Sequence, residues 1–152
     1  MFLRLVCVCM LSFTSVFASS PSVSLEKPWA RPADIGYNSA VYMALENTGN
    51  ASVVIVGATC ETCKKVELHE TIEVEGVSKM IPMDAAHPWT VAPGEVLRLA
   101  PGGKHVMLIG LTRVLENGEE VLVTLLTKDG EKIEVRAMIQ KGPGTCGSCC
   151  GS

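Results

Sequence analysis

The chain has 152 residues, a formal net charge of −3 and 47% hydrophobic residues. That length suits a single domain with enough apolar side chains for a core. The mildly acidic balance excludes a basic nucleic-acid footprint, and no run of like charge suggests an arm for a polyanion.

Residues 1–18 read as a secretory signal. Arg4 supplies the positive start, and residues 5–17 form an apolar stretch interrupted by Ser12, Thr14 and Ser15. Val16-Phe17-Ala18 places small residues where a signal peptidase reads, so cleavage is expected after Ala18. The stretch is shorter than the roughly 20 apolar residues of a spanning helix. Neither Cys7 nor Cys9 follows the small residue that a bacterial lipoprotein signal wants. No later segment is long and apolar enough to insert stably in a membrane. The expected product is periplasmic, soluble and monomeric.

A domain over residues 22–140 follows, written as short β-type segments between turn signals. Residues 40–46 mix Val, Tyr, Met and Leu before the turn Asn47-Thr48-Gly49-Asn50. Residues 52–56 form a β-branched run. Residues 65–69 alternate in the manner of a half-buried strand. Strands are then predicted over 77–83 after Gly76, over 95–99 after Pro93-Gly94, and over 105–111 after Pro101-Gly102-Gly103. Asn117-Gly118 and Asp129-Gly130 are hairpin dipeptides, and they flank a strand over 120–127. A last strand over 132–139 closes the domain. Helical patterns do not alternate with the strands, which excludes a doubly wound sheet. The pattern fits an all-β, antiparallel sandwich or Greek-key barrel. Trp29, Trp89, Met43 and Met138 read as packing residues. Residues 141–152 carry Gly, Pro, Ser, Thr and three cysteines and read as a flexible tail.

The chemistry-bearing residues are soft donors. On a strand, His105 and Met107 point to one face, with Val106 and Leu108 on the other. His69 ends one predicted strand, and Met80 lies beyond the Gly76 turn. Ten residues separate them, the length of a hairpin that brings its ends together. Thioethers suit copper(I) and suit zinc, magnesium and calcium poorly. Two histidines and two methionines add no negative charge, which favours a monovalent, polarizable ion. The histidines must be neutral to bind, whereas methionine is indifferent to pH.

Seven cysteines are present, of which Cys60, Cys63, Cys146, Cys149 and Cys150 lie beyond the signal. An exported chain meets conditions in which disulfides persist, and an odd count leaves one thiol for another role. Cys60-Glu61-Thr62-Cys63 has the spacing of a local disulfide, a redox pair or a soft-metal clamp. A thioredoxin-like role would place the pair at the opening of a helix in a βαβ unit, and no such unit is visible. Cys146, Cys149 and Cys150 are candidate donors for copper capture, or a disulfide-forming tail. In His87-Pro88-Trp89, His87 reads as a solvated loop histidine rather than a lid or partner contact.

Several words in order carry a family resemblance. These are Trp29-Ala30-Arg31-Pro32, residues 41–47, Val66-Glu67-Leu68-His69-Glu70-Thr71, Gly76-Val77-Ser78-Lys79-Met80, and residues 101–108. They resemble the periplasmic copper chaperones called PCu(A)C over residues 22–140. The family's signature runs His, ten residues, Met, twenty-one residues, His-x-Met. His69, Met80 and His105-Val106-Met107 match it, except that twenty-four residues separate Met80 from His105. Counting from Met83 restores twenty-one but leaves thirteen after His69. Met80 is preferred because it ends the Gly-Val-x-Lys-Met word, and Met83 is the alternative ligand. The resemblance implies a cupredoxin-like sandwich that is not an enzyme. It implies copper(I) held by His69, Met80, His105 and Met107 and passed toward the binuclear copper site of cytochrome c oxidase. The acceptor would be an oxidase subunit or a second copper chaperone. The competing classes are a thiol–disulfide reductant, an electron-transfer cupredoxin and a copper store.

Overall fold

The computed structural model describes residues 22–142; the expected cleavage after Ala18 and the three tail cysteines lie outside them. Ten strands run in chain order: β1 (Val23–Ala30), β2 (Ser39–Asn47), β3 (Val53–Thr59), β4 (Cys63–Val74), β5 (Val77–Met83), β6 (Trp89–Val91), β7 (Val96–Leu99), β8 (Lys104–Leu111), β9 (Glu120–Thr127) and β10 (Lys132–Ile139). Among the described residues, no helix is long and apolar enough to cross a membrane. The fold is all-β, as the turn dipeptides and alternating segments predict.

The strands hydrogen-bond in the order β5-β4-β8-β2-β1-β10-β9-β3-β6, with β7 paired to the second half of β2. This ribbon folds over itself into a sandwich. Val41, Leu68, Val106 and Leu108 from one half pack in one core with Ile55, Val123, Leu125, Val135 and Ile139 from the other. Each such side chain contributes about 1.5–3 kcal/mol on burial. The ladder is antiparallel except at one place: β1 and β10 pair in parallel at Trp29↔Met138 and Ala30↔Ile139. A purely antiparallel arrangement therefore needs correcting. Parallel neighbours need a long crossover, and here the crossover is nearly the whole domain, which brings its first and last strands together.

Two strands escape the sequence pattern. β6 has three residues, too short for an alternation to show. β1 is interrupted by a bulge at Lys27 and Pro28, where Lys27 takes φ +44°. One extra residue flips every later side chain to the other face. Without it Trp29 would follow Leu25 into the core. With it, Ala30 enters the core and Trp29 stacks on Tyr42 on the outer face, ring centroids 4.6 Å apart. Met138 is likewise not core: it is 41% exposed, because β10 alternates with Ala137 and Ile139 inward.

Candidate metal centre

The centre is built on the outer face of β4 and β8, over the core. In β8, Val106 and Leu108 point inward and are wholly buried, so His105 and Met107 must point outward. In β4, Leu68 is 1% exposed, so Glu67, His69 and Thr71 share the opposite face. Antiparallel register sets His69 directly across from His105 and Glu67 across from Met107. The two imidazoles meet edge to face, centroids 5.6 Å apart.

The β4–β5 hairpin brings the third donor. Met80 lies opposite Thr71, and Pro82 lies opposite His69, so Met80 is on the histidine face and diagonal to His69. Diagonal neighbours on a sheet are within reach of long side chains. Met83 pairs with Leu68 and packs against the core, on the other side of the hairpin. Met80, His105 and Met107 all line one small cavity of about 250 Å³, whereas Met83 lines a different one. The structure thus brings His69, Met80, His105 and Met107 to one place and sends Met83 elsewhere.

Each imidazole has one nitrogen engaged. His105 Nδ1 lies 3.0 Å from the Gly103 carbonyl, which also accepts the Thr71 N–H at 3.1 Å. That carbonyl is aimed by a turn in which Gly102 takes φ +82°, a conformation open chiefly to glycine. His69 Nε2 lies 2.7 Å from Glu67 Oε2, and Lys65 pairs with the same carboxylate. When these two nitrogens donate, the lone pairs are left on His69 Nδ1 and His105 Nε2. His69 Nδ1 is buried and has no hydrogen-bond partner among the described residues. A buried imidazole nitrogen without a partner is costly unless something binds it.

The electrostatics fit a soft monovalent ion. Burial is the main cause that holds His105 below the ordinary histidine range, with smaller contributions from His69 and Arg31, against the Gly103 bond. The ring therefore stays neutral, as a ligand must. Among the cavity's lining residues the only charged one is Arg31, a cation. Arg31 lies over the Tyr42 ring at 5.5 Å, and Tyr42 stacks between Trp29 and His105. No three His, Cys, Asp or Glu side chains gather into a metal site among the described residues. A hard or borderline divalent ion lacks a ligand set here, whereas two imidazoles with two thioethers make one for copper(I).

Glu67, Tyr42 and Arg31 were not singled out from sequence. Glu67 was findable, since it stands two residues before His69 on a strand. Tyr42 and Arg31 reach the site through the bulge and through β2, which no local pattern shows. His87 is exposed and sits 3.6 Å from Asp84 in its loop, away from this centre. Cys60 and Cys63 are free thiols at the opposite end of β4 from the hairpin. Burial, and next the neighbouring Cys60, push the Cys63 thiol up to about 11.

The family described as "Putative lipoprotein LpqE-like" matches residues 23–139. The chain belongs to the LpqE-like family. It is 34% identical over 122 residues to a protein of Leifsonia xyli described as "Putative lipoprotein Lxx21020", covering 80% of this chain and 72% of that one. Among solved structures it is similar to the "Apo PCuAC domain from PmoF1", with TM-score 0.62 and 23% identity over 82% of this chain and 98% of that one. It is also similar to CuI-DR1885 from Deinococcus radiodurans, with TM-score 0.55 and 29% identity over 78% and 80% of the two chains. The fold of this LpqE-like protein is therefore the cupredoxin-like sandwich of PCuAC domains.

Proposed function

We propose that this LpqE-like protein is an exported copper(I) carrier. The ion is held by His69 Nδ1, His105 Nε2 and the thioethers of Met80 and Met107. It is handed by ligand exchange to an acceptor in the periplasm, an oxidase subunit or a second copper chaperone on the route to the binuclear copper site of cytochrome c oxidase. The observation that carries this reading is the edge-to-face His69–His105 pair, with the His69 Nδ1 lone pair buried and unpartnered. The copper(I) form of DR1885, 29% identical to this chain, supports the choice of metal.

The mechanism is transfer, not catalysis. Four neutral donors leave the ion's single positive charge uncompensated, so a thiolate or histidine acceptor competes well for it. Met80 is 59% exposed and stands at the rim, while His105 is 4% exposed at the floor. An incoming ligand would displace Met80 first and His105 last. The Trp29–Tyr42 wall and the Gly103 carbonyl hold His105 still during the exchange. The electron-transfer reading lacks support, because a blue-copper site needs a thiolate beside two histidines. Cys63 is six residues along β4 from His69, roughly 20 Å at a strand's rise.

The test is an anaerobic copper(I) titration against a chromogenic chelator. The chain used would carry serine at Cys60, Cys63, Cys146, Cys149 and Cys150. One equivalent should bind in competition with the chelator and be lost in the His105→Ala/Met107→Ala variant. Failure of the parent to compete would sink the reading.

A further inference from the structure

The thiols of Cys60 and Cys63 stand apart from the centre just described. Cys60 precedes a two-residue turn and Cys63 opens β4. The turn is pinned from outside, since the Thr112 N–H donates to the Thr62 carbonyl at 2.9 Å, and Cys63 pairs with Leu111 across the ladder. Both thiols are half-buried against the rim of the core. Cys63 Sγ reaches back over the turn to the Cys60 carbonyl at 3.8 Å. The Cys60 sulfur also touches the Thr62 hydroxyl at 3.1 Å, and Cys63 Sγ reaches the Lys65 carbonyl at 3.3 Å.

We infer that Cys60 and Cys63 form a second, independent metal site that binds one copper(I) ion between two thiolates. The two cysteines flank one pinned two-residue turn, with Cys63 Sγ 3.8 Å from the Cys60 carbonyl, and no third His, Cys, Asp or Glu joins them among the described residues. Zinc takes four such ligands in a structural site. A two-donor thiolate set suits copper(I), whose preference for soft sulfur lets it bind with few ligands. Binding balances without a redox step: one copper(I) ion and two thiols give one copper(I) bis-thiolate carrying a single negative charge, and two protons go to solvent. A thiol–disulfide reductant is served less well, because an attacking thiol works best with its pKa near ambient pH, and burial pushes Cys63 to about 11.

The experiment uses the chain from Ser19 onward, as expected after cleavage, with Cys146, Cys149 and Cys150 changed to serine. Copper(I) alone is titrated anaerobically, and X-ray absorption counts the sulfurs at the metal. This parent should bind two equivalents and Cys60→Ser/Cys63→Ser should bind one. His105→Ala/Met107→Ala should also bind one, now with two sulfurs and no nitrogen. Affinity in that last variant should rise roughly 100-fold per pH unit, as two protons leave per ion. Loaded with copper, it should protect both cysteines from alkylation, a readout that needs no substitution at Cys60 or Cys63. The inference is overturned if the His105→Ala/Met107→Ala chain fails to compete for copper and leaves both thiols open to alkylation. It is also overturned if Cys60→Ser alone keeps the full affinity. Loss of the His/Met equivalent with the thiol equivalent intact would sink only the carrier reading.

Discussion

Strand β4 carries soft donors at two places, and they differ in kind. At its start Cys63 sits beside Cys60, a pair of ionisable thiols half-buried at the rim of the core. In its middle His69 sits beside His105 on the outer face, with Met80 and Met107 lining the same cavity as His105. The thiol pair must lose two protons to take a metal, whereas the thioethers of the His/Met face have none to lose. On the two proposals above, the thiol end would grip a soft ion more tightly as pH rises, while at the other place protons compete only for the histidines and not for the thioethers. On the two proposals, the comparison teaches that the same metal preference would be reached by two routes, charge at one place and polarizability without charge at the other.

The sharpest way to break this picture is at the two methionines of β5. Met80→Ala should weaken copper(I) binding at the His/Met face by more than roughly 100-fold, the upper end for outer-sphere partners of a metal ligand. Met83→Ala should leave copper binding intact. Its cost falls on stability instead, because Met83 packs against the core. Chelator competition reads the first effect and chemical denaturation the second. Equal losses of copper affinity would mean that the hairpin face does not decide the ligand.

A smaller effect tests how His69 is aimed. Glu67 accepts from His69 Nε2, which leaves Nδ1 for the metal. Glu67→Gln keeps the shape but can present an N–H where an acceptor is needed. Copper(I) affinity should fall roughly 10- to 100-fold, the range for an outer-sphere partner, with thermal stability little changed, since the amide keeps the shape and Lys65, the cation of the Lys65–Glu67–His69 chain, is exposed. The chemical shifts of His69 should report a change of tautomer. An unchanged affinity would remove Glu67 from the site.

Much of this was legible along the chain, and the parts that were not share a cause. The ends of β9 and β10 agree with the sequence because Asn117-Gly118 and Asp129-Gly130 punctuate them, and period two alone placed His105 with Met107. The β4–β5 hairpin followed from ten intervening residues and one glycine. Alternation predicts only residues 65–69 of β4, because the two ends of this strand are mostly exposed and do not alternate cleanly. The Trp29–Tyr42 wall depends on a bulge at a Lys-Pro pair, and the parallel β1–β10 contact joins opposite ends of the domain. These are non-local events, in which register and topology decide what a side chain touches. Met138 was misread for a simpler reason: a methionine on a strand is usually filler, but alternation with Ala137 and Ile139 puts it outside.

The smallest expected effect isolates the thiol end in the metal-free protein. The Cys63 thiol is pushed from 9.0 to about 11, first by burial and then by Cys60. A folded-state pKa above the unfolded value contributes stability that is fully present below the unfolded pKa. That stability is lost as pH rises through the folded one. The unfolded chain ionises its thiol near pH 9, while the folded chain resists until about 11. Metal-free protein should therefore lose stability across that window, and Cys63→Ser should lose less, the difference between two urea midpoint curves. Groups that do not touch Cys63 are common to both chains and cancel in that difference. Copper(I) at the pair should abolish the loss, because a metal-bound thiolate has already given up its proton. The His/Met face has no thiol to titrate, so His105→Ala should leave this difference curve where it was.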